Sequence, residues 1–178
     1  MLYLIRHAHA VPASEDPLRP LSLAGVQECA LLVRFFAENH QLLPTQIWHS
    51  PHARSRETAD RLAAGLNQDS ARVEIPGILG DDDPRVLLAR VNDLPPGSEI
   101  AVVGHDPHLT RLASLLIRGR SKPALMDLKK GSVLALEKTE TRHKKSGQPR
   151  WMVCWYMTPG LLKVPQGAAT PPKAKPAA

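Results

Sequence analysis

Short apolar runs alternate with longer segments of helical periodicity, and this alternation constrains the fold more than any other feature of the chain. The apolar runs predict strands at residues 2–5, 46–49, 71–75 and 99–103. The periodic segments predict helices at residues 23–39, 51–66, 84–91 and 109–117. Elements in this order predict an α/β fold, a three-layer sandwich in which helices cover both faces of a mostly parallel central sheet.

The predicted helices begin at residues with known capping preferences. Ser22 is a suitable N-cap for the first helix, and Ser50-Pro51 provides an N-cap and a first-turn proline for the second. The run Asp81-Asp-Asp-Pro84 puts carboxylates at the positive end of the third helix dipole. Residues 10–21 contain three prolines and are expected to form a loop, because proline cannot continue a helix or a central strand.

The net charge of +6 is confined to the end of the chain. Residues 138–178 hold eight Lys or Arg and one acidic residue, whereas residues 1–137 hold fifteen Lys or Arg and sixteen acidic residues. Residues 132–137 and 151–157 predict an antiparallel strand pair joined by a basic loop, 138–150. No aromatic residue is interleaved with the lysines of that loop, so we expect a solvated loop and no nucleic-acid partner.

Composition narrows the class of protein further. A chain of 178 residues that is 43% hydrophobic can bury a core as one domain, which we place at residues 1–162. Residues 163–178 are rich in Pro, Ala and Lys and are expected to be disordered. Two distant cysteines, Cys29 and Cys154, exclude a disulfide scaffold. No apolar run is long enough for a membrane span or a signal peptide, so we expect a cytoplasmic protein without membrane contact.

Two histidines and two arginines follow the predicted strands where the strands end. Arg6-His7 follows the first, Arg54 lies shortly after the second, and His105 follows the fourth. In open α/β sheets the ligand site lies beyond the carboxyl ends of the strands, so these four side chains are expected to meet there. Guanidinium groups match phosphate oxygens, and a histidine held neutral among cations can attack phosphorus. This chemistry requires no metal or other cofactor.

Other phosphate-handling and hydrolytic sites fit the sequence less well. There is no Walker-type glycine loop, and Cys29 and Arg34 lie within a helix pattern, which disfavours a cysteine phosphatase. Cys29 is instead expected in the core. A metal hydrolase stays open as an alternative, with ligands drawn from the histidine pairs and the acidic run: His7 with His9, His105 with His108, and Asp81 to Asp83. A non-catalytic module that binds phosphorylated partners is a further alternative, suggested by the basic loop.

Three sequence blocks resemble the histidine phosphatase superfamily, the phosphoglycerate mutase-like proteins. Leu4-Ile-Arg-His-Ala8 resembles the signature that opens the superfamily. Ser50-Pro51-x-x-Arg54-x-x-x-Thr58-Ala59 is similar to its second block, and Val102-Val-Gly-His105 is similar to its third. The stretch Asp16-Pro-Leu-Arg-Pro-Leu-Ser22 resembles the phosphohistidine phosphatase branch, the SixA type. The resemblance covers about residues 1–160 and implies a phosphoglycerate mutase-like fold with one catalytic domain.

The resemblance implies a role for each matched residue. His7 would attack phosphorus and carry a transient phosphoryl group, and Arg6 would hold phosphate beside it. Arg54 and His105 would complete the pocket by hydrogen bonding to the phosphoryl oxygens. Arg19 is a further candidate for phosphate binding, although an arginine between two prolines could equally brace its loop. Phosphate-like anions such as vanadate and tungstate are therefore expected to bind.

The general acid and the substrate are less constrained by the sequence. Asp106 and Asp81 are the acid candidates, and each could instead serve a helix N-terminus. The favoured substrate is a phosphohistidine on a signalling protein, whose labile P–N bond needs little acid assistance. The alternative is a small phosphomonoester with Asp106 as the acid. Thr58 is expected to make a helix–helix contact. The remaining histidines have no matched role, although His108 is close enough to touch substrate: His9, His49, His52 and His108.

Overall fold

The computed structural model describes residues 1–39, 41–66 and 71–162. The strands are β1 (Leu2–Arg6), β2 (Gln46–His49), β3 (Ala71–Glu74), β4 (Ile100–Gly104), β5 (Val133–Arg142) and β6 (Pro149–Met157). The α-helices are α1 (Leu23–Asn39), α2 (Ala53–Gly65), α3 (Pro84–Asn92) and α4 (His108–Arg118), and a 3₁₀ helix covers Pro159–Leu162. The tail predicted to be disordered, 163–178, lies outside the described residues. No helix within the described ranges is long and apolar enough to cross a membrane.

One mixed sheet organises these elements, with the strand order β3-β2-β4-β1-β5-β6. The four strands β1 to β4 pair in parallel, and β5 and β6 join one side of the sheet in antiparallel pairing. The predicted α/β fold with a mostly parallel sheet is confirmed. Parallel pairing aligns the ends of β1, β2 and β4, since Arg6 lies opposite Gly104 and His49 lies opposite Val103.

Helices cover both faces of the sheet. Along β1, Leu2 and Leu4 pack into a core with α3 and α4, whereas Tyr3 and Ile5 pack into a second core with α1 and α2. All four of these side chains are almost completely buried. Burial on both faces is the usual environment of a central parallel strand, which explains why β1 is a continuous apolar run. The three predicted layers are therefore present.

The predicted N-cap of α1 is confirmed, and the acidic run predicted at the start of α3 supplies the N-cap of that helix. The Ser22 hydroxyl accepts a hydrogen bond of 3.2 Å from the Gly25 N–H at the start of α1. The Asp83 carboxylate accepts one of 3.0 Å from the Arg85 N–H at the start of α3. Each cap satisfies a backbone donor that the first helical turn leaves without an intrahelical partner.

Two predicted boundaries are wrong, and both errors arise from tertiary contacts. Helix α2 begins at Ala53 with His52 as its N-cap residue, because the Ser50 hydroxyl bonds to the ring of His105 and does not cap the helix. The basic loop predicted at 138–150 is mostly strand, because β5 and β6 continue their pairing as far as Arg142 and Pro149. Only residues 143–148 of that segment lie outside the two strands.

Candidate functional site

The site begins with two histidines that follow adjacent parallel strands. The His7 N–H donates to the Gly104 carbonyl at the end of β4 over 3.0 Å, and His105 is the next residue. The centres of the His7 and His105 rings are 5.0 Å apart. Both residues are buried, with 7% and 4% of their surface exposed. The structure places the two imidazoles side by side, as the order of elements predicts.

The segment after β2 brings a guanidinium group and a hydroxyl group to these rings. Arg54 is the second residue of α2, and its Nε donates to His7 Nε2 over 3.2 Å. The Ser50 hydroxyl lies 2.6 Å from His105 Nε2. Ser50 is completely buried, so this bond fixes the orientation of the His105 ring where water cannot compete for it.

Thr58 connects α2 to the segment that follows β1. The Ala8 N–H donates to Thr58 Oγ1 over 3.1 Å, and the Thr58 hydroxyl donates to the Arg54 carbonyl over 2.7 Å. Thr58 also faces Cys29 of α1, so the predicted helix–helix contact is present. Cys29 lies in the core, with 1% of its surface exposed, as predicted. Thr58 therefore links the backbone next to His7 to the helix that carries Arg54.

The protonation state of His7 follows from its hydrogen bonds and its burial. The Ala8 carbonyl oxygen lies 2.7 Å from His7 Nδ1 and can only accept, so the proton is on Nδ1 and Nε2 presents a lone pair. Burial, together with the charges of Arg54 and Arg6, lowers the pKa of His7 to about 4, and the Ala8 hydrogen bond opposes this decrease. At neutral pH the ring is a neutral imidazole whose Nε2 can act as a nucleophile.

His105 is also held in its neutral form. Burial, with smaller contributions from the neighbouring His7 and Arg54, lowers the pKa of His105 to about 3. The ring of His52 approaches His105 edge to face, with a centroid distance of 5.1 Å. Desolvation, together with the charges of Arg54 and Arg19, also lowers the pKa of His52. A neutral His105 ring carries a single N–H donor. Its Nε2 is the nitrogen that faces the Ser50 hydroxyl.

These side chains open onto a pocket with a volume of about 430 Å³. Its lining is Arg6, His7, Arg19, His52, Arg54, Leu79, Gly80, Asp81, Asp82, His105, Asp106 and Lys130. Arg19 reaches this pocket from the proline-rich loop, where its backbone is left-handed with φ of 52° and its Nε donates to the Val11 carbonyl over 3.3 Å. Arg19 thus both braces its loop and faces the pocket, so both of the roles considered for it are physically compatible.

Of the acid candidates, Asp106 makes the more extensive contacts. Its Oδ2 lies 3.2 Å from Arg6 Nη1, and its Oδ1 accepts from both the N–H and the hydroxyl of Thr110. Burial raises the pKa of Asp106, whereas the Thr110 hydrogen bonds and the Arg6 charge oppose that increase. Arg6 Nη1 donates to the Leu128 carbonyl as well, over 2.6 Å. Asp106 therefore holds Arg6 in a fixed position, and Asp81 lines the pocket without a recorded contact to Arg6.

Three short sequence blocks imply a fold, and comparison with known proteins tests it. No protein-family model matches the sequence, and no curated protein matches it. Among solved structures, the protein histidine phosphatase SixA complexed with tungstate matches with a TM-score of 0.74 at 22% identity, over 91% of this chain and 99% of that one. The chain has the phosphoglycerate mutase-like fold.

Two further structures share the phosphoglycerate mutase-like fold at lower similarity. A protein from Agrobacterium tumefaciens described as phosphohistidine phosphatase SixA matches with a TM-score of 0.69 at 21% identity, over 88% of this chain and 96% of that one. A mycobacterial glucosyl-3-phosphoglycerate phosphatase in complex with VO3 matches with a TM-score of 0.59 at 16% identity, over 86% and 97% of the two chains.

Three of the four histidines without a matched role lie outside the pocket lining, whereas His52 is part of it. His9 Nδ1 bonds to the Ser22 hydroxyl over 2.8 Å, and His49 Nδ1 bonds to the Ser50 carbonyl over 3.0 Å. His108 is completely buried and, contrary to expectation, does not line the pocket. Within residues 1–39, 41–66 and 71–162, no three His, Cys, Asp or Glu side chains are grouped as metal ligands. The ligand set considered for a metal hydrolase is therefore not assembled among these residues.

Sequence reasoning missed three residues of the site that the phosphoglycerate mutase-like fold brings together. The local sequence predicts a helix cap at Ser50 and no role for His52 or Lys130. The Gly131 N–H after Lys130 donates to the carbonyls of Arg6 and His7, which places Lys130 beside the first motif. Ser50 and His52 lie inside the second block, so that block was the available signal for them, whereas Lys130 carries no comparable local signal.

The buried neutral histidines predict a loss of stability in acid. His7 has a folded pKa of about 4 against an ordinary value of 6.5, so the unfolded chain binds the proton more readily. The free energy of unfolding should therefore fall as the pH drops from about 6.5 toward 4, by roughly 2 to 3 kcal/mol from His7 alone. Urea denaturation at pH 7.5 and pH 4.5 measures the decrease. His7→Asn should show a smaller decrease, and an identical pH dependence in both proteins would contradict the prediction.

Proposed function

We propose that the protein is a metal-independent phosphatase, with residues 1–162 as its catalytic domain, that acts through a phosphohistidine intermediate on His7. The observation that carries the proposal is the neutral imidazole of His7, whose unprotonated Nε2 faces a pocket lined by cations. Arg6, Arg19, Arg54 and Lys130 all line that pocket. Such a site suits a phosphoryl group, which carries negative charge on several oxygens and accepts attack at phosphorus.

The proposed reaction has two displacements at phosphorus. A phosphoryl oxygen first replaces His7 Nε2 as the acceptor for the Arg54 Nε–H. Nε2 then attacks phosphorus, so that an N–P bond forms while the bond from phosphorus to the leaving group breaks. Arg6, Arg54 and His105 stabilise the charge on the phosphoryl oxygens during this step. Water next attacks the phosphorus, the N–P bond breaks, inorganic phosphate leaves, and His7 returns to its neutral form.

The Ala8 carbonyl assists the second displacement. It keeps the His7 proton on Nδ1, so the phosphorylated ring carries a positive charge and leaves phosphorus as a neutral imidazole. The proton of the attacking water goes to the released phosphate. No proton has to be delivered to His7 in this step, which lowers the requirement for a strong acid in the pocket.

Phosphohistidine on a signalling protein is the substrate that we favour. Its leaving group is an imidazole, which departs from phosphorus with less acid assistance than an alkoxide requires. The contacts of Asp106 support this choice, because pairing with Arg6 and hydrogen bonding from Thr110 favour its ionised form, which cannot donate a proton. Proteins named as phosphohistidine phosphatases share the fold.

A phosphomonoester substrate is the second candidate, and one observation favours it. Burial raises the pKa of Asp106, and this carboxyl group lines the pocket. A protonated Asp106 could donate to a departing alkoxide, which is a poor leaving group without such assistance. The mycobacterial phosphatase of similar fold is named for a phosphomonoester. The two candidates therefore differ in whether Asp106 supplies a proton.

A comparison of substrates tests the proposed function. We expect kcat/KM to be higher for a phosphohistidine peptide than for p-nitrophenyl phosphate or a nucleotide, and we expect vanadate or tungstate to inhibit by occupying the cationic pocket. Dialysis against EDTA should leave activity unchanged. Activity lost to EDTA and restored by zinc or manganese would favour the metal hydrolase, and phosphopeptide binding without turnover would favour the binding module.

Asp106→Asn distinguishes the two roles of this carboxyl group. If Asp106 orients Arg6, the substitution should lower kcat/KM on phosphohistidine and on p-nitrophenyl phosphate by the same factor, on the order of tenfold. Parallel steady-state assays measure both factors. Asp60→Asn is the matched control, because Asp60 is exposed, pairs with Arg72 and does not line the pocket. A much larger loss on the phosphomonoester would identify Asp106 as the general acid and would contradict the orienting role.

A further inference from the structure

A second cationic region lies outside the catalytic pocket, on two segments that meet in space. The first segment is 118–122, at the end of α4, and the second is 142–150, at the tip of the β5–β6 hairpin. Together they hold seven Lys or Arg residues and no Asp or Glu: Arg118, Arg120, Lys122, Arg142, Lys144, Lys145 and Arg150. We refer to these two segments as the distal cationic surface. None of the seven takes part in an ion pair recorded for the described residues.

The hairpin tip is fixed against the helices, so this surface has a defined shape. His143 Nε2 bonds to the Leu116 carbonyl of α4 over 3.1 Å. The His143 ring lies so close to Gly119 that a Cβ there would come within 3.1 Å of it, and φ of Gly119 is +76°. The Asn92 side-chain amide at the end of α3 donates to Gln148 Oε1 over 2.8 Å. These contacts hold the cations of the hairpin beside those that follow α4.

A cavity of about 570 Å³ lies within this surface, and its walls combine charge with apolar area. Leu88 and Leu115 contribute apolar surface, while Arg120 and Lys122 contribute positive charge. Arg85 also lines the cavity, with its guanidinium group paired to Asp83. No acidic residue lines it. Its volume is within the range of pockets that bind a ligand group, and its chemistry matches an anion that carries an apolar group. An acidic peptide segment with one aliphatic side chain has this composition.

The cavity is close to the catalytic pocket along the chain. Asp82 lines the catalytic pocket and Arg85 lines the cavity, so only two residues separate them at the start of α3. The Cα atoms of these two residues are therefore at most about 11 Å apart. Arg85 therefore marks the edge of the cavity that lies nearest the catalytic pocket along the chain, and a polypeptide crossing that edge could extend toward the pocket along the start of α3.

We infer that the distal cationic surface docks an acidic segment of the phosphoprotein substrate, with an aliphatic side chain of that segment in the cavity; the inference rests on the proposed function. Opposite charge on the two partners accelerates their encounter and sets their orientation. Neither segment of the surface contains Phe, Tyr or Trp, the side chains on which proteins stack the bases of single strands. An acidic polypeptide therefore suits the surface better than a nucleic acid.

A labelled peptide tests whether the distal cationic surface binds an acidic segment. A short fluorescein-labelled peptide of Glu, Ser and a single Leu should bind in an anisotropy titration, and its affinity should fall with salt because exposed charges are screened. Arg120→Glu combined with Lys122→Glu should weaken this binding about tenfold or more. Arg34→Glu with Arg61→Glu is the matched control, since these exposed cations lie on α1 and α2 across the sheet. An equal loss in the control, or tighter binding of single-stranded DNA than of the peptide, would overturn the inference.

A kinetic comparison separates this inference from the proposed function. Two phosphohistidine peptides are compared, one continued by the acidic leucine-containing segment and one by a neutral Gly-Ser segment. The wild-type protein should show a lower KM for the acidic peptide, and the Arg120→Glu, Lys122→Glu protein should lose this preference while hydrolysing free phosphohistidine normally. An unchanged preference would overturn the docking surface alone. If neither peptide is hydrolysed, the proposed function fails, and the anisotropy titration still decides whether the surface binds acidic segments.

Discussion

The His7→Ala protein should fold and should lose hydrolysis of phosphohistidine peptides by a factor on the order of 10⁴ or more, because removal of a covalent nucleophile leaves only the binding contribution of the pocket. His7 Nε2 is the unprotonated nitrogen that faces the cations of the pocket, and no other histidine ring that lines it is held by a backbone carbonyl at Nδ1 in the recorded contacts. Steady-state rates measure the loss. Quenching with a labelled phospho-donor should trap an acid-labile adduct in the wild-type protein and none in the variant.

Two further variants distinguish loss of the nucleophile from loss of the folded structure. His7→Asn is a second variant that fills more of the buried space, and thermal unfolding should show that at least one of the two remains folded. His9→Ala is the matched control in the same segment, because the His9 ring bonds to Ser22 and does not line the pocket. Retention of hydrolysis in a folded His7 variant, or loss of the adduct in His9→Ala, would contradict the proposed mechanism.

Arg54→Ala should reduce kcat/KM by about 10²- to 10³-fold, because it removes a donor aimed at the position where charge develops on the phosphoryl oxygens. Its Nε lies 3.2 Å from His7 Nε2, so a phosphoryl group attached to that nitrogen would lie within reach of the guanidinium group. Arg54→Lys should recover only part of the loss, since an ammonium group keeps the charge without the planar pair of donors. Steady-state kinetics with the phosphohistidine peptide measure both variants.

Arg56 provides the control for Arg54. It lies two residues further along α2, is exposed, does not line the pocket, and donates its backbone N–H to the His52 carbonyl over 3.1 Å. Arg56→Ala changes the net charge by the same amount and should leave kcat/KM within about twofold of wild type. Equal losses in the two alanine variants would show that general charge, and not the contact with His7, is responsible for the effect.

The sequence predicts much of the fold because the strands that carry the site are apolar on both faces. The runs that contain Leu2 and Val102 are recognisable as buried strands from their apolar pattern alone. Parallel pairing then brings the residues that follow the two strands to the same edge of the sheet. The positions of His7, His105 and Arg54 follow from that rule together with the start of α2. This part of the prediction depends only on local pattern and on the geometry of a parallel sheet.

The remaining features depend on contacts between residues far apart in sequence. Ser50 has the local signature of a helix cap, yet its hydroxyl bonds to His105, which lies 55 residues further along the chain. Lys130 reaches the pocket because the Gly131 N–H bonds to the carbonyls at the end of β1. The extra length of β5 and β6 arises from pairing with each other, since their polar outer residues lack the apolar pattern that predicts a strand. Local periodicity contains no information about such partners.

The register of β1 against β4 has a consequence for how substrate range could change. Because Arg6 lies opposite Gly104, the spacing of the two reactive rings is set by the distance between neighbouring strands, not by any loop. The walls of the pocket, by contrast, come from connections such as residues 11–20 and 79–82, which can vary in length without disturbing the sheet. Exchange of residues 79–82 would therefore change one wall of the pocket while the sheet keeps the two imidazoles at their spacing, whereas exchange of residues 11–20 would also remove Arg19 from the pocket.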